Sequence, residues 1–149
     1  MENFMLEALK EAEKAYRIGE VPVGAVLVKD GHIIARAYNQ VESLKDPTAH
    51  AEILAIREGT RILESWRLEA CDLYVSLEPC AMCAGALVQA RINKVFFGVR
   101  DSRKGCCGTV HNLLDDENFN HRAEVIYKEN IQARNLLSSF FKELRERKF

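Results

Sequence analysis

Two short segments hold the residues with most chemical capacity: His50-Ala51-Glu52 and Pro79-Cys80-Ala81-Met82-Cys83. Imidazole and thiolate are ligands that Zn²⁺ takes in a tetrahedral site. Cys80 and Cys83 are spaced i and i+3, so in the opening turns of a helix both sulfurs share a face and reach one ion. The unpaired N–H groups of a helix start, and the metal itself, favour thiolate over thiol. His50 is the third ligand if two helix starts meet on one side of a sheet. Three protein ligands leave a position open, which separates a catalytic zinc from a structural one, and water bound there has its pKa lowered to about 7. Glu52, beside the metal but not bound to it, then moves protons to and from the reacting groups. Each piece alone reads differently: His50 as an ordinary histidine, Glu52 as a carboxylate on a helix dipole, C-x-x-C as a thioredoxin-like redox pair. A redox pair needs no H-x-E upstream, so together the fragments favour zinc.

The elements that must position these residues follow from periodicity. Met5, Ala8, Leu9, Ala12, Ala15 and Tyr16 keep helical spacing up to Gly19. Apolar runs at Val21–Val28 and Ile33–Asn39 flank Asp30-Gly31 and read as a β-hairpin, with His32 in or beside the turn. Asn39, at the strand end, is a turn residue or a side chain facing a pocket. Asp46-Pro47-Thr48 is expected to open a helix running through Leu63, with His50 and Glu52 in its first turns. Cys71–Leu77 reads as a central strand. Pro79 then starts a helix from Cys80 to about Ala90, and Asn93–Val99 is another strand. A loop rich in Gly, Cys and charge covers Arg100 to Gly108; Glu124–Tyr127 is a last short strand, and Leu136, Leu137, Phe140, Phe141 and Leu144 mark a C-terminal helix. Strands alternating with helices after a hairpin imply a mixed sheet with helices on its faces.

The whole chain narrows the setting. Its 149 residues suit one domain, 1–149, with no composition break inside. No apolar run approaches the ~20 residues of a membrane span. Met1-Glu2-Asn3-Phe4 is wrong for a secretory signal, so a cytoplasmic location is expected. Five cysteines, an odd count, argue against a disulfide framework. Cys71 reads as core. Cys106-Cys107 are small buried loop residues, or one of them is a fourth ligand. A net charge of −1 gives no global pull on nucleic acid, so RNA binding would need a local patch.

Read with their flanks, these segments resemble the bacterial tRNA-specific adenosine deaminases of the cytidine-deaminase-like superfamily. The likeness runs through Gly19–Val26, Asn39, Asp46–Glu52, Leu77–Ala86, Phe97–Asp101, Gly105 and Asn120-His121-Arg122. The H-x-E and P-C-x-x-C pattern marks zinc deaminases of nucleobases in general; the flanks and the Asn-His-Arg point to the tRNA enzymes. The resemblance implies a three-layer α/β/α fold with a central mixed five-stranded sheet. It implies one Zn²⁺ per subunit at His50, Cys80 and Cys83, with Glu52 as proton shuttle. It implies a homodimer acting on a tRNA anticodon stem-loop, turning the wobble adenosine to inosine. Asn39 is similar to a residue that hydrogen-bonds the flipped base, Asn120 to one contacting the target nucleotide, and Asp101 to one near the flanking nucleotides. Backbone amides at Ala51 and around Glu78 would line the pocket. Candidate phosphate contacts are Arg100, Arg103, Lys104, Lys142, Arg145, Arg147 and Lys148. The alternatives are a deaminase of free bases or nucleosides, of guanine or cytosine type, and a non-catalytic zinc-stabilised RNA-binding module. The intact Glu52 argues against the latter.

Overall fold

The computed structural model describes residues 3–147. The hairpin forms as the sequence predicts. β1 (Gly24–Lys29) and β2 (His32–Tyr38) pair antiparallel, and the turn residues Asp30 and Gly31 take φ of 52° and 75°. Positive φ at both positions is the primed turn whose twist matches the strands it joins. His32 stands beside the turn, as the first residue of β2. β3 (Cys71–Val75) pairs antiparallel with β1, and β4 (Lys94–Phe97) and β5 (Glu124–Tyr127) continue in parallel. The result is a mixed five-stranded sheet of order β2-β1-β3-β4-β5. A parallel step needs a crossover, and α4 (Ala81–Gln89) supplies the one from β3 to β4.

Alternation along β1 sets the layers. A Cβ on Gly24 would lie 2.1 Å from the Ala8 carbonyl oxygen of α1 (Phe4–Arg17). A Cβ on Gly59 of α3 (Ala51–Leu63) would lie 2.3 Å from Leu27 Cδ2. Gly24 and Leu27 point to opposite faces, so α1 and α3 cover opposite sides of the sheet. α5 (Ile131–Glu146) packs beside α1 and α4 beside α3, completing three layers. Leu27, Leu73, Val75, Val95 and Phe97 fill the interior. α1 ends as expected: Gly19 takes φ 81°, its N–H reaches Tyr16 O, and Glu20 N–H reaches Ala15 O at 2.9 Å.

Several boundaries differ from the sequence reading. The helix expected at Asp46–Thr48 begins only at Ala51, because Asp46 closes a turn of its own: Oδ1 accepts from Thr48 N and Oγ1 at 2.8 and 2.7 Å. A short Asp side chain serves such a turn as readily as a helix cap. Cys80 is the N-cap of α4 and not its first residue. The strands expected at Cys71–Leu77 and Asn93–Val99 stop at Val75 and Phe97. A short helix α2 (Val41–Leu44) and a 3-10 turn (Leu113–Asp115) carry no periodic signal and were not expected.

Candidate metal and active site

His50 and Cys80 are the N-cap residues of α3 and α4, and neither side chain caps its helix. Both are thus free to point between the two helix starts. His50 Nδ1 stands 3.7 Å from Cys80 Sγ and 3.5 Å from Cys83 Sγ, and the three donors lie within 4.8 Å of one another. Zinc bonds of about 2.0 Å to nitrogen and 2.3 Å to sulfur, at a tetrahedral angle, separate N from S by about 3.6 Å. The donors therefore fit one zinc ion. They are the one such group of His, Cys, Asp and Glu among the described residues, and neither Cys106 nor Cys107 joins it. Both of those are buried loop residues, and Cys71 lies wholly inside at the start of β3.

The electrostatics suit a cation. A hydrogen bond from the Cys83 thiol, then one from His50, brings the Cys80 thiol down to about 3. The Cys80 hydrogen bond in turn raises His50. Glu52, second residue of α3, is 4 % exposed, and burial pushes its carboxyl up to about 7. A carboxyl that holds its proton near neutrality is fitted to give it up and take it back.

Asn39 lies just past β2, buried, and its Oδ1 accepts the Ala51 N–H at 2.7 Å. One hydrogen bond ties the hairpin's end to the start of α3, next to His50. The Ala51 amide is thereby engaged within the protein, as is the Glu78 N–H, which donates to Val99 O at 2.8 Å.

Two buried carboxylates brace this frame, and sequence reasoning missed both. Glu20 accepts from Glu42 N, Ser43 N and Ser43 Oγ, pinning α2 and the segment that leads to His50. Burial works to raise its carboxyl, but these hydrogen bonds outweigh it and hold the pKa below the usual range. Glu78 accepts from Asp101 N, Cys107 N, Thr109 N and Thr109 Oγ1, pinning the loop after β4. The available signal was a carboxylate beside an apolar strand run, which folds inward only with partners.

The remaining candidates stand at different depths. Asp101 is half-buried, and its Oδ1 accepts from Arg103 N and Lys104 N. Asn120 is exposed and lines a shallow cleft with Gly85, Val88 and Gln89 of α4. His121 holds its loop through Nε2 to Ile92 O at 2.6 Å. A groove of about 570 Å³ runs between the 99–104 loop and α5, floored by Leu77, Val99, Leu137, Phe141 and Leu144. Arg100, Arg103, Lys104 and Arg145 stand around it. Arg100 also stacks on the Tyr127 ring, 4.4 Å from its centroid. Lys142 and Arg147 are exposed on and just after α5, and Lys148 lies outside the described residues.

Comparison with known proteins agrees with this geometry. Residues 1–99 match the model of the cytidine and deoxycytidylate deaminase zinc-binding region. The chain is 54 % identical to the tRNA-specific adenosine deaminase of Aquifex aeolicus, over 97 % of this chain and 95 % of that one. A solved structure from studies of A-to-I editing by tRNA:A34 deaminases at the wobble position superposes with a TM-score of 0.81. It has 43 % identity over 84 % of this chain and 96 % of that one. Guanine deaminase from Bacillus subtilis follows with a TM-score of 0.66 and 34 % identity, covering 98 % and 95 %.

Proposed function

The chain belongs to the zinc-binding cytidine and deoxycytidylate deaminase family and, within it, to the tRNA-specific adenosine deaminases, and we propose on that premise that it converts the wobble adenosine of a tRNA anticodon loop to inosine and ammonia. The observation that carries the proposal is the meeting of two helix starts. They gather His50, Cys80 and Cys83 within 4.8 Å, with buried Glu52 two residues along the chain.

Held by these three residues, zinc supplies the Lewis acidity that lets a water molecule lose a proton near neutral pH. The chain's own groups do the rest. Glu52 takes the proton of the water that adds to C6 of adenine, delivers it to N1, and then passes a proton to the departing amine. Adenosine and water become inosine and ammonia. Asn39 keeps its oxygen on Ala51, leaving its NH₂ to donate to the flipped base. Asp101 and Asn120 meet the nucleotides around the target, and Arg103, Lys104 and Arg145 meet phosphates. A loop nucleotide leaves its stack at lower cost than one in a duplex. The protein works as one deaminase domain over residues 1–149, as a homodimer in the cytoplasm. Its bacterial relatives support that setting, and no described helix is long and apolar enough to cross a membrane.

The likeness to guanine deaminase favours a second reading, turnover of a free base. An anticodon stem-loop with a wobble adenosine, assayed beside free adenosine, guanine and cytidine, separates the two. Inosine in the stem-loop alone is the expected outcome; turnover of only the free compounds overturns the tRNA reading.

A further inference from the structure

We infer that Glu78 is a positioning residue: its carboxylate fixes the loop from Asp101 to Thr109 against the Pro79–Cys80 turn, and so sets where substrate-facing residues stand relative to the metal site. Glu78 is 2 % exposed. Oε1 accepts from Asp101 N at 3.0 Å and from Thr109 Oγ1. Oε2 accepts from Cys107 N at 3.0 Å and Thr109 N at 3.1 Å. A carboxylate has about four acceptor sites, and here the loop fills them.

The backbone repeats the seam on both sides. Glu78 N–H donates to Val99 O at 2.8 Å, and Cys106 N–H donates to Pro79 O at 2.9 Å. Gly105 allows the loop to close this far. A Cβ there would lie 2.4 Å from Glu78 Oε1 and 2.6 Å from Asp101 O. The residue after Glu78-Pro79 is Cys80, and the clamped loop carries Asp101, Arg103 and Lys104. One side chain thus joins the metal turn to the loop that lines the basic groove.

Glu78→Gln tests this with little change in volume. A carboxamide accepts on one oxygen only and turns an NH₂ toward the loop's own donors. In the zinc-loaded full chain, amide exchange at Asp101, Cys107 and Thr109 is expected to speed up about tenfold or more, while β1 and β3 keep their protection. Zinc content stays at one per chain. KM for the anticodon stem-loop rises about tenfold with kcat within about threefold, a split that general destabilisation does not produce. Thr109→Val removes one donor and keeps the carboxylate. It gives the same pattern at smaller amplitude and serves if the Gln variant does not fold. Unchanged exchange at the three amides, or a fall in kcat at constant KM, overturns the inference. The kinetic arm rests on the tRNA reading. The exchange arm does not, so a wild-type chain inactive on the stem-loop would sink that reading while exchange still decides the role of Glu78.

Discussion

At the scale of single residues, the proposed function divides the site into side chains that would hold the metal and one that would move protons, and the two kinds fail differently when removed. Glu52 is buried and bonded to no metal in this assignment, so Glu52→Ala is expected to keep zinc and fold. Loss of the shuttle costs about 10²–10⁴ in kcat, the range of a positioned general acid–base. Metal analysis and thermal melting beside the deamination rate check it, and full activity in the variant would refute the assigned role. Cys80→Ala removes a ligand and leaves two, so zinc is lost and the melting temperature falls with it if metal binding and folding are linked. Cys80 and Cys83 were legible as a pair from spacing, because i and i+3 on a helix start is a local relation, but it took His50-Ala51-Glu52 upstream to separate a zinc site from a redox pair. The place of Cys80 as an N-cap was not legible. The sequence reading put it one residue inside the helix, whereas it stands at the N-cap with its sulfur making no capping hydrogen bond.

At the scale of elements, α1 and α3 approach opposite faces of β1 closely, each at a glycine. Gly24 meets backbone: the Ala8 oxygen at 2.1 Å and the Ala12 nitrogen at 2.3 Å from an added Cβ. Gly59 meets the end of the Leu27 side chain. Backbone cannot step aside and a leucine terminus can, so Gly24→Ala is expected to be the worse substitution. It should cost upward of about 1–3 kcal/mol, the range of an overpacked core, and Gly59→Ala less. Urea denaturation of both variants checks the order; equal losses would show that α1 slides freely on the sheet. Strands and long helices were readable because their hydrophobic period extends over many residues. The start of α3 was misread because Asp46 had two competing local uses, and sequence does not rank them. The partners of Glu20 and Glu78 were unreadable for another reason. Apart from the Ser43 and Thr109 hydroxyls they are backbone N–H groups 22 to 31 residues away, and a backbone amide has no residue type to recognise.

At the scale of the whole molecule, the proposed RNA substrate raises a problem of charge that one local patch can answer. With 21 basic and 22 acidic residues the chain offers RNA no net attraction. Many of the cations are also spent on partners: Arg36 on Glu7 and Glu11, Arg61 on Glu58, Arg134 on Glu129. Arg103, Lys104 and Arg145 stand instead around one groove with an apolar floor, beside the loop that Glu78 pins. Such a site combines phosphate contact with a surface on which bases can rest. Replacing all three by alanine is therefore expected to raise KM for the stem-loop while leaving kcat nearly unchanged, since none of them touches the reacting atoms. The salt dependence discriminates further. Each phosphate contact to single-stranded nucleic acid adds about 0.7 to the slope of log K against log salt, so losing three lowers the slope by about 2. A binding titration across salt concentrations reads this directly. An unchanged slope with weakened binding would mean that the groove acts through its apolar floor and that the phosphates are held elsewhere.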